Sequence, residues 1–249
     1  MDSYNSIKKY FHQSLKGVYP PSEIDNIFFL ILFKVFKWNK IDFTLNRNNQ
    51  PSNDLLFYLD QVIPDLIKNK PIQHILGFVS FYGLELKVNE HVLIPRPETE
   101  ELVAKILSEL DANSRFSVLD IGTGSGCIPL ALKNECPNLV CRGVDISIKA
   151  LDVAKKNANR LNLDVDFRQQ DVFSKSFNSG MIDILVSNPP YIPNNEISLI
   201  SSNVVDYEPH SALFVDEENP LLFYNRIAII GNKYLRKNGK IYFEIHENY

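Results

Sequence analysis

Cysteine is scarce: Cys127, Cys136 and Cys141 have neither the number nor the spacing of a disulfide framework or a zinc site. They are expected as small buried apolar groups in a chain suited to a reducing, cytoplasmic compartment, with no metal bound. Long apolar runs are lacking too. The N-terminus is polar, with Asp2, Lys8 and Lys9, and the run Ile27 to Phe33 falls far short of a bilayer span. No signal peptide or membrane anchor is therefore expected. Basic residues are not in excess: 26 Lys and Arg face 30 Asp and Glu, a net charge of −4, so nothing global draws the chain to a polyanion. Internal repeats and low-complexity tracts are absent, as is any phosphate loop of the type G-x-x-x-x-G-K-[ST].

What is present is enough apolar content, 45% of 249 residues, to bury a substantial core. Two domains and a linker are expected: a helical bundle over 1–70, a β-hairpin linker over 71–93 and an α/β domain over 94–249. In the first part, Tyr4, Ile7, Phe11 and Leu15 recur at helical spacing, followed by Ile24, Ile27, Phe28, Ile31, Leu32 and Val35 after Pro20-Pro21-Ser22. Ser22 is the expected cap of that second helix. A third run, Leu55, Leu56, Leu59, Val62 and Ile63, precedes Pro64, with a polar loop before it from Asn46 to Asp54. No catalytic constellation is visible there, and His12 has no evident partner. The bundle is either a docking module for a macromolecular substrate or a stabilising cap.

From Ile75 to Val88 apolar residues alternate in the manner of strands, with Gly77 and Gly83 at turns. The prolines of Ile94-Pro-Arg-Pro-Glu-Thr-Glu100 hold the next stretch extended, with Thr99 or Glu98 as the cap of a helix running through Leu102, Val103, Ile106 and Leu110. That stretch either lines a site or is an ordinary helix start.

The chemistry is concentrated further on. A short apolar strand, Phe116 to Ile121, runs into Gly122-Thr123-Gly124-Ser125-Gly126 and then into an apolar helix. Glycines there let a backbone come close to a ligand, and the helix start offers free N–H groups. A dinucleotide fingerprint would place its last glycine at position 127, but that residue is Cys127. The second strand ends at Asp145, 23 residues after Gly122, where a carboxylate can accept from both hydroxyls of a ribose. The third, Val165 to Gln169, ends near Asp171, suited to an adenine amine. Asp120, Asp145 and Asp171 thus mark the C-terminal ends of successive strands, the edge at which doubly wound sheets bind ligands. This pattern fits S-adenosylmethionine better than ATP or NAD.

The run Ile184-Leu185-Val186 then leads into Asn188-Pro189-Pro190-Tyr191. Two prolines have fixed φ and donate nothing, so the Asn188 amide and the Pro189 carbonyl are held stiffly as two acceptors. Such a pair suits a planar –NH2 group, with the Tyr191 ring beside it. Alone, these four residues would read as an ordinary turn; with the glycine loop upstream they imply a site for two substrates.

Together, Asp120-Ile-Gly-Thr-Gly-Ser-Gly126 and Asn188-Pro-Pro-Tyr191 resemble the signature loops of Rossmann-like class I methyltransferases that act on amine nitrogen. Three further blocks, Pro71-Ile-Gln-His74, Ile94-Pro-Arg-Pro-Glu-Thr-Glu100 and Tyr207-Glu-Pro209 with Ala212-Leu213, make the chain similar to the release factor glutamine methyltransferases. The resemblance implies methyl transfer from S-adenosylmethionine to the side-chain amide of the glutamine in the Gly-Gly-Gln tip of peptide-chain release factors. It implies that Gly122, Thr123, Gly124, Ser125 and Gly126 cradle the methionine and ribose, that Asp145 holds the ribose hydroxyls, and that Asp171 and Val172 meet the adenine. Asn188, Pro189, Pro190 and Tyr191 would bind the glutamine amide, with Asn188, Pro189 and Tyr191 as the catalytic set and Asn188 also near the cofactor. The family sheet resembles a seven-stranded one, and this sequence stops at Tyr249, just after a fifth strand read from Lys240 to His246. The expectation is therefore a sheet lacking its closing helix and β-hairpin, with that fifth strand as an exposed apolar edge. The alternative function is methylation of an exocyclic amine of a nucleic acid, adenine N6 or guanine N2, which presents the same planar –NH2. The charge balance and the absence of a basic, aromatic-rich recognition domain give that alternative no support.

Overall fold

The computed structural model describes residues 2–110 and 115–245, and the chain divides into two compact units, Met1–Leu76 and Gly77–Tyr249. The first is all helical: α1 (Tyr4–Leu15), α2 (Pro21–Phe36), α3 (Lys40–Asn46), α4 (Asn53–Ile67) and α5 (Ile72–Leu76). The buried face of α1 is Tyr4, Ile7, Phe11 and Leu15, the stripe read from the sequence. Phe11 and Phe28 pack with ring centroids 5.5 Å apart, and Phe43 of α3 meets Phe28 edge-on at 5.7 Å. Helix α2 starts one residue before Ser22: Pro21 occupies its first turn and Pro20 is the cap, because proline's missing N–H costs nothing there. His12 does have a partner, since its Nε2 lies 2.8 Å from Asp25 Oδ1. Residues 72–76, partly read as strand, form the short helix α5.

The second unit opens with a hairpin, β1 (Phe78–Phe81) and β2 (Leu84–Lys87). Its two-residue turn is Tyr82-Gly83, both at positive φ, which matches the twist of paired strands. There follow α6 (Pro97–Ser108), β3 (Ser117–Ile121), α7 (Cys127–Glu135), β4 (Val140–Asp145), α8 (Ile148–Leu161), β5 (Val165–Gln169) and β6 (Ile182–Ser187). Next come β7 (Ile192–Pro193), a 3-10 turn over Asn194–Leu199, α9 (Ser202–Tyr207), α10 (His210–Leu213) and β8 (Phe214–Val215). Helix α11 (Leu222–Tyr234) and strand β9 (Leu235–Phe243) follow.

Five strands form one sheet in the order β5-β4-β3-β6-β9, every neighbouring pair parallel. Parallel sheets need both faces covered, and the side chains divide accordingly. Val118, Ile184 and Val186 join one cluster with residues of α6, α7 and α8, whereas Leu119, Ile121 and Leu185 join another with Ile227 and Ile230 of α11. The chain thus winds one way from β3 to β5 and the other way from β6 to β9, and the reversal lies between β3 and β6. Strand β9 is one of the two outer strands among the described residues, and the last residue of the strand read from the sequence, His246, lies outside them. Arg236, Lys237, Asn238 and Lys240 are exposed, whereas the apolar end of β9 is half-buried: Ile241 and Phe243 pack with the α11 cluster, Tyr242 with the other.

Glycine at position 143, in the inner strand β4, is required by close packing. A methyl group there would come within 2.5 Å of the Thr123 hydroxyl and 2.7 Å of the Phe167 ring. Gly143→Ala is expected to lower unfolding free energy by about 1–3 kcal/mol, read from urea denaturation; an unchanged midpoint would contradict this packing.

Candidate functional site

A cleft of about 380 Å³ opens at the C-terminal edge of the sheet, in the second unit. That volume lies within the range of small-ligand sites, about 300–1,000 Å³. Gly122 and Gly124 after β3, Asp145 at the end of β4, Asp171 and Val172 after β5, and Asn188, Pro189 and Pro190 after β6 all line it. Thr123, Ser125, Gly126 and Tyr191 do not. Thr123 and Ser125 are buried beneath the loop, and Gly126, at φ +80°, packs against the Phe167 ring. Tyr191 is half-buried beyond the prolines.

Backbone conformation makes the first loop. Gly122, Gly124 and Gly126 all have positive φ, and the Gly122 and Thr123 N–H groups both donate to the Val144 carbonyl at 2.9 and 3.0 Å. The loop is thereby folded back over β4 and beside Asp145. One oxygen of Asp145 accepts from Gly124 N and the other from Ser147 N, each at 2.9 Å. Burial raises its carboxyl above the ordinary range, and the N–H donors of Ser147 and Gly124 offset part of that. Each oxygen keeps a lone pair for a further donor. The loop after β5 is pinned from α11, where Arg226 donates to the Val172 carbonyl at 2.6 Å and to that of Ser174 at 3.0 Å.

Asp120 lies beneath this loop, buried, and neither of its oxygens has a hydrogen-bond partner in good geometry among the described residues. The Thr123 and Ser125 hydroxyls are in the same condition. Burial pushes the Asp120 carboxyl up to about 7; the nearby Thr123 hydroxyl offsets part of this, and the Asp145 charge adds to it. The Cys127 thiol, next along, is pushed by burial up to about 12 and keeps its proton.

The second loop is built around Asn188. Its Nδ2 donates to the Thr99 hydroxyl oxygen at 3.3 Å, and Thr99 in turn donates to Glu244 Oε2 at 2.6 Å. The Tyr191 hydroxyl donates to the other oxygen of the same carboxylate at 3.1 Å. Burial, then the Glu244 charge, raises the Tyr191 pKa, so this phenol remains a neutral donor. Asn188 Oδ1 and the Pro189 carbonyl accept no hydrogen bond from any described residue. Helix α6 begins at Pro97 with Arg96 as its cap, so Thr99 is not the cap expected from the sequence and its hydroxyl is left for Asn188. The segment before α6 is held by Glu208, which accepts from Ile94 N at 2.8 Å and pairs with Arg96. Val92 and Leu93, just before it, line the cleft together with Pro209 and Ala212.

The methyltransferase small domain family matches residues 101–206. The chain is 40% identical over 247 residues to the release factor glutamine methyltransferase of Flavobacterium psychrophilum, a match covering 97% of this chain and 87% of that one. With the release factor glutamine methyltransferase of Bacteroides thetaiotaomicron it shares 44% identity over 246 residues, 98% of this chain and 88% of that one. The chain belongs to the release factor glutamine methyltransferase family. Family membership bears out the resemblance carried by the Ile94–Glu100 and Tyr207–Pro209 blocks, which here meet through Glu208. Thr99, Arg226 and Glu244 are functional neighbours that went unread as such in the sequence. For Glu244 a signal existed, a lone acidic residue after the apolar Ile241-Tyr242-Phe243. Among the described residues no helix is long and apolar enough to cross a membrane, and no group of three or more His, Cys, Asp or Glu is placed to hold a metal ion.

The buried Asp120 makes stability depend on pH. Unfolded, a carboxyl of this kind titrates near 4; folded, this one titrates near 7. The folded form therefore holds the proton more tightly, and its stability is lost as pH rises through that window. In the unliganded protein, the stability advantage of Asp120→Asn over wild type is expected to grow by about 2 kcal/mol from pH 5 to pH 8, read from denaturation curves at both. An advantage independent of pH would contradict the shifted carboxyl.

Proposed function

We propose that this protein transfers a methyl group from S-adenosylmethionine to the side-chain amide nitrogen of a protein glutamine, that of the Gly-Gly-Gln tip of peptide-chain release factors. The observation that carries the reading is the pair of acceptors, Asn188 Oδ1 and the Pro189 carbonyl, without a hydrogen bond from any described residue and in the same cleft as the glycine loop and Asp145. Membership of the family supports it.

The cleft suits the cofactor on its own chemistry. Asp145 retains acceptor capacity for two ribose hydroxyls, Asp171 and Val172 would meet the adenine, and Gly122 and Gly124 leave room for the ribose and methionine. Thr123, Ser125 and Gly126 would shape that cradle from beneath. When bound, S-adenosylmethionine supplies a methyl group on a positively charged sulfur. The Asp145 carboxylate makes this edge of the sheet favourable to such a charge.

An amide nitrogen is a poor nucleophile, because its lone pair is delocalised into the carbonyl. The protein's contribution is geometry. Asn188 and Pro189 accept the two N–H bonds of the substrate amide and hold its nitrogen toward the cofactor. Fixing reactants in this way can account for roughly 7–11 kcal/mol of barrier. Pro190 stiffens the support, Tyr191, which does not line the cleft, steadies the loop through its hydrogen bond to Glu244, and apolar walls such as Ile121, Phe223 and Ile227 keep water out. The nitrogen becomes strongly acidic once methylated and sheds its proton to solvent, so no general base is required.

Labelled S-adenosylmethionine, offered with purified release factor, with its Gln→Ala tip variant and with DNA, tests the substrate. Label on the intact factor alone is expected; label on DNA and not on the factor would overturn the reading. Asn188→Ala is expected to lower kcat on the order of 10²-fold while affinity for S-adenosylhomocysteine, read by calorimetry, changes by less than about 3-fold. Near-normal turnover would remove Asn188 from its role.

A further inference from the structure

Thr99, Asn188 and Glu244 are far apart in the chain, yet they form one polar chain that ends at the cleft. An asparagine amide can present either its oxygen or its nitrogen to a ligand, and the two orientations fill nearly the same space. Only one of them lets Asn188 accept from an –NH2 group. We propose that Glu244 is the positioning residue that selects this orientation, acting through the Thr99 hydroxyl; the proposal rests on the reading of Asn188 as an amide acceptor.

The polarity of the chain decides the matter. A carboxylate can only accept, so the Thr99 hydroxyl, 2.6 Å from Glu244 Oε2, must give its one proton there. Its oxygen is then an acceptor, and what faces it at 3.3 Å is Asn188 Nδ2. Turning the amide over would set Asn188 Oδ1 against that same oxygen, two acceptors in opposition. Asn188 Oδ1 is therefore the group left for the cleft. The other carboxylate oxygen takes the Tyr191 hydroxyl, which orients the second side chain of the same loop.

Glu244 is itself held by its backbone. Its N–H donates to the Ser187 carbonyl at 3.2 Å, and its carbonyl accepts from the Tyr224 hydroxyl at 3.0 Å. Ser187 directly precedes Asn188. The anchor and the amide it orients thus share one rung at the end of the β6–β9 pair, and the relay cannot drift relative to the loop. Thr99 is 2% exposed, so water does not compete for its hydroxyl.

The test compares Thr99→Val, Thr99→Ser and Glu244→Gln with wild type. Valine removes the relay, serine keeps it, and glutamine can offer a donor to Thr99 and release the constraint on Asn188. Thr99→Val and Glu244→Gln are expected to lower kcat about 10-fold or more, the effect of one misdirected hydrogen bond. Affinity for S-adenosylhomocysteine and Tm should stay near wild type, and Thr99→Ser should restore kcat to within about 3-fold. In 15N-labelled unliganded protein the Asn188 side-chain NH2 pair, identified by its loss in Asn188→Asp, should be resolved in wild type and in Thr99→Ser and lost or broadened in Thr99→Val. Wild-type kcat in Thr99→Val, or equal losses of kcat, cofactor affinity and Tm in both Thr99 variants, would overturn the proposal. Were wild type to methylate no glutamine, the proposed function would fail, and the NH2 resonance would still decide whether Thr99 orients the amide.

Discussion

The Ser187 hydroxyl donates to the Ile121 carbonyl across 2.6 Å, fully buried, and so ties together the ends of β3 and β6 from which both loops of the site depart. At this point the winding of the sheet reverses, and helices on opposite faces leave the strand ends open between them. Were the two ends to splay, the glycine loop and the Asn188–Tyr191 loop would separate. As it is, a side chain at Gly122 would lie 4.0 Å from the Asn188 carbonyl. One strand junction thus sets the spacing between the proposed cofactor and the proposed substrate amide.

Acidic groups crowd the same edge, and each is handled differently. Asp145 is satisfied by two backbone N–H groups and stays available. Glu208 is paired with Arg96, and Glu244 is spent on two hydroxyls. Asp120 is buried with no hydrogen-bond partner in good geometry among the described residues, and burial raises its carboxyl to about 7. Buried polar groups without partners cost stability, and proteins keep such costs mainly where function requires them. A positively charged ligand above the loop would lower that cost, which fits the cofactor proposed for the cleft.

Much of this was legible in the sequence where the signal is local. Strand β5 runs over Val165–Gln169, the bounds expected from the sequence. The glycine loop and the two prolines announced themselves through residue types with few alternative uses. Helix α3 escaped notice because it is seven residues long and buries only Phe43, while Ile41 and Leu45 face solvent. Thr99 or Glu98 is the cap expected from the sequence; Pro97 begins the helix earlier, with Arg96 as the cap, and leaves the Thr99 hydroxyl free for Asn188. His12 finds Asp25, thirteen residues away on another helix. Glu208 and Glu244 reach partners more than a hundred residues distant, and no window of sequence contains both ends of such a bond.

The central claim is that the two loops form one site, with Asn188 Oδ1 and the Pro189 carbonyl as the acceptors for a glutamine amide. A crystal structure of the protein with S-adenosylhomocysteine and a peptide containing Gly-Gly-Gln tests it most directly. The account predicts the glutamine nitrogen within hydrogen-bond distance of both oxygens and facing the cofactor sulfur, with the ribose on Asp145. A glutamine side chain bound elsewhere, or an Asn188 amide turned with its nitrogen toward the peptide, would contradict it.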